Sequence, residues 1–340
     1  MSKAFLQAIS YYLPKKCLTN EELSLQHPEW SVDKIALKTG IHNRYLSAPD
    51  ETAGDMAMKA AERLFDEYNI DRSKIDFVLL CTQSPDYFLP TTACIVQDRL
   101  GLSKNCGALD FNLGCSGFIY GLGLAKGLLF SGQAKNILLI TSETYTKNIH
   151  PLDKSNKTIF GDGATASLVS STIDDLLWNA EIQEFSYATD GSGHENLIIR
   201  NGGFRNKTKK EALDVYLDDV FIKNDDFLYM DGKAIFDFTA FEVPKLVEQN
   251  LILNESSTES IDLFIFHQAN QYMLNFMRKR CKIPTEKFYI DISDGGNTVS
   301  NTIPIALKRA SKKKVLQKEF HIQLCGFGVG LSMGAVTLKF

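Results

Sequence analysis

Three residues far apart in the chain have types that a nucleophilic reaction needs: the thiol of Cys115, the imidazole of His267 and the carboxamide of Asn297. Cys115 lies in Ala108-Leu-Asp-Phe-Asn-Leu-Gly-Cys-Ser-Gly-Phe-Ile-Tyr-Gly-Leu, where a buried strand is expected to give way to a buried helix. A thiol in the first turn of a helix faces unpaired N–H groups and the positive end of the dipole, which favour thiolate. Gly114, Ser116 and Gly117 leave room for a sharp turn and an approaching substrate. The competing reading is a core cysteine, a common fate of this residue.

His267 ends the apolar run before Gln268-Ala269-Asn270, and Asn297 lies in Asp294-Gly-Gly-Asn-Thr298, both at expected strand-to-helix turns. Their plain alternatives are a satisfied core histidine and a helix N-cap. A further turn, Cys325-Gly-Phe-Gly328-Val329-Gly330, has the glycine density of a dinucleotide fingerprint. The following Ala335-Val-Thr-Leu-Lys-Phe reads as a strand, whereas the fingerprint requires a helix there. Glycines between two strands instead present backbone N–H groups of the kind an oxyanion needs. Phe160-Gly-Asp-Gly163 reads as a supporting turn.

The elements that must position these residues alternate. Strands are expected at 76–82, 107–113, 136–141, 165–169, 261–266 and 288–292, with a terminal hairpin over 320–340. Helical spacing covers 52–68, 90–100, 116–131, 231–253, 268–282 and 298–312, and the stretch from about 176 to 227 reads as strands and loops. Two α/β halves, 1–172 with the cysteine and 173–340 with the histidine and asparagine, repeat the same order of elements.

Composition excludes several classes. The 340 residues carry a net charge of −4, with 44% apolar and 23% charged residues, so no general attraction for nucleic acid or an anionic membrane is expected. Basic runs such as 207–210 and 312–314 read as solvated surface. The glycine-rich apolar stretch 118–130, interrupted by Lys126, is too short to span a bilayer, and no signal peptide precedes it. Seven cysteines without a CxxC pair or zinc-ligand spacing fit a reducing cytoplasm and no metal site.

Taken together, the Cys115 elbow, His267-Gln-Ala-Asn270, Gly296-Asn297-Thr298, Phe160-Gly-Asp-Gly163 and the C-terminal glycine turn resemble the β-ketoacyl-acyl carrier protein synthase III family of the thiolase-fold superfamily. The resemblance implies an αβαβα layered sandwich of two pseudo-duplicated halves and a homodimer. It implies an acyltransferase that condenses an acyl-CoA primer with malonyl-acyl carrier protein through an acyl-Cys115 intermediate, initiating a fatty acid or related chain. His267 and Asn297 would stabilise the enolate left by decarboxylation, and the N–H groups of Cys115 and Val329 would form the oxyanion hole. Acyl-CoA enters as substrate, and no cofactor is required.

By the same resemblance, Lys38, Lys154, Phe236, Asn270 and Phe327 are expected to contact substrate. Family members usually carry a tryptophan shortly before the basic residue and Thr-Gly-Ile; here Lys34 stands at its place and Trp30 lies upstream, so either could face CoA. Leu89 falls where one subunit reaches the partner's acyl pocket, implying tolerance of chains longer than acetyl. Tyr272 and Asp237 replace basic residues common in the family, leaving Lys279 and Arg280 for carrier docking. Competing functions are a thiolase using Cys325, an inactive thiolase-fold partner subunit, and an acyltransferase or condensing enzyme of a specialised pathway.

Overall fold

The apolar runs become strands because neither of their faces meets water. The computed structural model describes residues 3–175, 177–207 and 212–340. Nine strands form one sheet, in chain order β1 (Phe5–Tyr12), β2 (Phe77–Cys81), β3 (Gly107–Phe111), β4 (Asn136–Glu143), β5 (Gly163–Ser170), β6 (Ala180–Thr189), β7 (Leu263–Phe266), β8 (His321–Gly328) and β9 (Ser332–Lys339). Their spatial order is β7-β8-β9-β6-β1-β5-β4-β2-β3. The seam between β1 and β6 holds only the pairs Phe5–Glu181 and Leu6–Ala180, so each half of the chain keeps its own block of strands.

Six helices clothe these blocks, α2 (Ala53–Tyr68), α3 (Thr92–Arg99), α4 (Gly117–Phe130), α5 (Gly232–Leu253), α6 (Gln271–Arg280) and α7 (Thr302–Lys312), while α1 (Val32–Thr39) packs its Ile35 with Leu18 and Leu23 in a cluster of its own. Alternation along β2 explains the layering. Val78 and Leu80 pack with α2 and α3 on one side, while Leu79 packs with α4 and α7 on the other. The same central layer takes Ile265 of β7, Leu324 of β8 and Val336 of β9 from the second block. Phe264, Phe266 and Cys325 face the opposite way, onto α5 and α6. The result is five layers, helix–sheet–helix–sheet–helix. Strands buried on both faces need continuous apolar sequence, which is why these runs show no polar alternation.

Helix starts are set by side-chain caps. Thr52 accepts from the Asp55 N–H as Asp55 accepts from the Thr52 N–H, opening α2. Asp110 of β3 accepts from the N–H groups of Thr92 and Ala93 at 2.6 and 2.7 Å, tying α3 to the sheet edge. Gly121 lets the central α4 lie against β4, since a Cβ there would come within 2.6 Å of Leu139.

Two expectations need correction. Residues 288–292 form no strand; a single bridge joins Phe288 to Phe264. The Tyr289 N–H donates to the Phe264 carbonyl at 3.0 Å, and the ladder goes no further because the Asp291 N–H donates to Gln268 Oε1 at 2.7 Å. The helix expected from 268 begins at Gln271, because Asn270 is extended and caps it through Met273 N–H. Of the basic run 207–210, Lys207 is exposed and the other three lie outside the described residues, as does Leu176 at the start of the polar stretch. No described helix is long and apolar enough to cross a membrane.

Candidate active site

Cys115 sits one residue before Ser116, the N-cap of α4, so it faces the helix start without belonging to its first turn. Gly114 N-terminal to it would clash with Val329 and Gln83 if it carried a side chain. Cys115 is buried, 6% exposed. The expected preference for thiolate does not hold in the free chain. Burial, and then the Glu143 carboxyl, push the Cys115 thiol up to about 12, against the opposing pull of the Val329 N–H and its own N–H. Both amides are thus already directed at the sulfur.

His267 continues β7, and its N–H donates to the Cys325 carbonyl at 2.8 Å, which fixes the imidazole at the end of the strand. The ring is buried against Phe327, edge to face with centroids 5.5 Å apart. Burial alone lowers its pKa to about 3, so the imidazole is neutral. Nδ1 lies 2.7 Å from Thr302 Oγ1, and Nε2 lies 3.5 Å from Asn297 Nδ2.

Asn297 is not a helix cap. Its backbone pairs with the first half of the chain, donating to the Ile159 carbonyl at 2.9 Å and accepting from the Gly161 N–H at 3.0 Å. Its side-chain oxygen accepts from Val299 N–H at 2.9 Å, which leaves the NH2 group facing His267. Asp162, in the Phe160-Gly-Asp-Gly turn, braces this region by accepting from the N–H and hydroxyl groups of both Ser47 and Thr146.

A cavity of about 130 Å³ brings Cys115, His267 and Asn297 together. Phe160, Phe327, Gly328, Asn270 and Met273 are among its other walls. Ile235 lines it, whereas its neighbour Phe236 packs on Phe276 and Tyr272 outside. Trp30, Lys34, Lys38 and Lys154 form a separate cluster. The ammonium groups of Lys34 and Lys38 lie 5.7 and 5.1 Å from the Trp30 ring centre, and Lys154 pairs with Glu29 beside it. This cluster borders the start of α6, since a Cβ on Gly40 would strike Gln271. Lys279 and Arg280 are exposed in the last turn of α6. Leu89 is 86% exposed and away from the cavity of its own chain.

Glu143 was not singled out from the sequence. It ends β4 fully buried, accepts from Gln83 N–H at 3.0 and 3.1 Å and from the Ser84 hydroxyl at 3.1 Å, and burial raises its pKa to about 8. An acidic residue closing the apolar run Ile137-Leu-Leu-Ile-Thr-Ser-Glu was the available signal. Thr302 was missed as well. Among the described residues no group of three or more His, Cys, Asp or Glu could hold a metal ion, and all seven cysteines are unpaired.

A neutral imidazole and an amide NH2 can stabilise a developing oxyanion without protonating carbon, beside a thiol flanked by two backbone N–H groups. Layers and site together define a condensing enzyme of the thiolase fold. The family model for 3-oxoacyl-[acyl-carrier-protein] synthase III matches residues 109–191, and that for its C-terminal part matches residues 252–340. A β-ketoacyl-[acyl-carrier-protein] synthase III of Clostridium perfringens is 36% identical over 339 residues, covering 100% of both chains. One from Campylobacter fetus is 36% identical, covering 100% of this chain and 99% of its own. A solved 3-oxoacyl-(acyl-carrier-protein) synthase III superposes with a TM-score of 0.95 at 43% identity, covering 99% of this chain and 100% of that one. The Aquifex aeolicus enzyme superposes with a TM-score of 0.85 at 30% identity over 100% of each chain. The chain belongs to the 3-oxoacyl-[acyl-carrier-protein] synthase III family.

Proposed function

We propose that this chain condenses an acyl-CoA with malonyl-acyl carrier protein, with Cys115 as nucleophile and His267 and Asn297 as the enolate-stabilising pair. The observation that carries this division of labour is the convergence of the three side chains on one cavity from both halves of the chain. Cys115 Sγ attacks the acyl-CoA carbonyl, the C–S bond to CoA breaks, and the thiol proton leaves with the CoA thiol. Loss of CO2 from the malonyl group places its bonding electrons on the enolate, whose oxygen takes hydrogen bonds from His267 and Asn297. The enolate carbon attacks acyl-Cys115, and the tetrahedral oxyanion rests on the N–H groups of Cys115 and Val329. Collapse releases the 3-oxoacyl product and the Cys115 thiolate. Decarboxylation itself supplies the carbanion, so the scheme calls for no cofactor.

Trp30, Lys34 and Lys38 offer an aromatic face and two cations to a nucleotide, and Lys154 becomes available to phosphate when Glu29 yields it. Asn270 has spent its oxygen on the Met273 N–H and has its NH2 left for a pantetheine amide. Lys279 and Arg280 are suited to an acidic carrier. The apolar edge strand β3 and the exposed Phe88-Leu89 loop support a homodimer in which Leu89 reaches the partner's acyl pocket. Seven unpaired cysteines suit a reducing cytoplasm.

Intact-mass analysis after incubation with a panel of acyl-CoAs tests the reading. Wild type gains one acyl mass, Cys115→Ala gains none, and malonyl-carrier discharges the adduct with CO2. An adduct that persists in Cys115→Ala would sink it. The inactive-subunit alternative fares poorly against an intact nucleophile beside the His267–Asn297 pair. Cys325 is fully buried on β8 facing α5 and α6, which speaks against a thiolase role for it.

A further inference from the structure

We infer that Thr302 is a positioning residue, whose hydroxyl donates to Nδ1 of His267 and so keeps the ring proton on Nε2, the nitrogen beside Asn297. The inference deepens the condensing function proposed above. Three hydrogen-bonding relationships carry it. Thr302 Oγ1 stands 2.7 Å from His267 Nδ1 and 3.2 Å from the Val299 carbonyl, so its single proton has two acceptors, the imidazole nitrogen being nearer. Asn297 Oδ1 is occupied by the Val299 N–H, so only the NH2 of Asn297 faces Nε2. The 3.5 Å between Nδ2 and Nε2 exceeds an ordinary N–H···N bond and suits two donors that share one acceptor oxygen between them.

The tautomer decides whether the pair works. With the proton on Nδ1, the Nε2 lone pair would draw in the Asn297 N–H, and each group would satisfy the other. No donor would then remain for an enolate oxygen. With the proton on Nε2, both groups present N–H to the same point. Which nitrogen of a buried histidine carries the proton is set by the bond its other nitrogen makes. Here that bond goes to Thr302.

Val299 is the hub of the arrangement. Its φ of +59° is rare for a β-branched residue, and it aims the N–H at Asn297 while its carbonyl lies within reach of Thr302. The fold thus holds a strained residue where it can orient the amide directly and serve as the hydroxyl's second acceptor.

The test uses full-length protein labelled with 15N-histidine, together with Thr302→Val, which keeps the shape and removes the hydroxyl, and Thr302→Ser, which keeps the hydroxyl. The expected 15N shifts place His267 in the Nε2–H form in wild type and Thr302→Ser, and in a mixed or Nδ1–H form in Thr302→Val. Cys115 acylation, read by intact mass, stays within about twofold in all three proteins, while decarboxylation of the malonyl substrate falls about 10–100-fold in Thr302→Val and recovers in Thr302→Ser. An Nδ1–H signal in wild type overturns the inference, as does a Thr302→Val protein with unchanged tautomer and unchanged decarboxylation. The wild-type spectrum decides even where Thr302→Val does not fold. Because the tautomer is read without turnover, a wild type that fails to acylate at Cys115 overturns the condensing function and not the tautomer assignment.

Discussion

A Cβ placed on Gly328 would lie 2.9 Å from both Cβ and Sγ of Cys115, so the C-terminal glycine turn closes over the thiol as near as backbone can come. At φ +156° the residue is also in a conformation that side chains rarely adopt. Gly328→Ala is therefore expected to lose about 1–3 kcal/mol of stability by overpacking and to acylate Cys115 at least tenfold more slowly. Thermal melting and time-resolved intact mass check both, and wild-type acylation in a folded variant would contradict the close approach.

Removing either enolate donor should separate the two half-reactions. His267→Ala and Asn297→Ala are expected to retain Cys115 acylation while decarboxylation falls about 100–1,000-fold, the usual cost of one oxyanion donor. Release of labelled CO2 from malonyl-carrier measures the second step. Either variant condensing at the wild-type rate would refute the assigned roles.

The pH dependences of the two steps should differ. Because burial and Glu143 push the thiol up to about 12, acylation is expected to rise steadily with pH through 9 without a plateau. His267, lowered to about 3, remains neutral throughout, so decarboxylation by pre-acylated enzyme should show no inflection near 6.5 from this ring. Stopped-time mass analysis across pH 5.5–9 distinguishes the profiles.

Glu143 makes stability pH-dependent in a sense opposite to most carboxylates. Its carboxyl is raised to about 8 in the folded chain from an ordinary 4.5, so between these values the unfolded chain has released a proton that the folded chain still holds. Stability from this group is whole below about 4.5 and is lost as pH rises through 8. Glu143→Gln should remove that slope. Between pH 5 and 8 its melting temperature should gain on wild type by at least a few degrees. A constant difference across that range would place the titration elsewhere.

Leu89 bears on donor length. Turnover with acetyl- through decanoyl-CoA should extend beyond acetyl in wild type and contract toward short chains in Leu89→Phe. Strict acetyl preference in wild type would remove the support for a roomy pocket.

The legible part of the molecule was the part written locally. Cys115, His267 and Asn297 each stand where an apolar run breaks into glycine or polar residues; for Cys115 and His267 the break marks a strand end, whereas the run before Asn297 forms only a single bridge. Glu143 and Thr302 carry no comparable mark, since their chemistry arises from burial and from neighbours 60 and 35 positions away in sequence. Ile235, next to the expected Phe236, lines the cavity, and the sequence does not show which of two successive helical residues, pointing about 100° apart, faces inward. The thiol's protonation was misjudged for a related reason: the helix start was visible in the sequence, but the depth of burial was not.

The backbone pairing of Asn297 with Ile159 and Gly161 reaches across the molecule. The carboxamide is encoded by the later portion of the polypeptide, but its coordinates are dictated by a rung belonging to the earlier one. Neither portion made separately would hold this amide in register with the imidazole. The enzyme's reactive centre comes into being only at the moment the two portions dock.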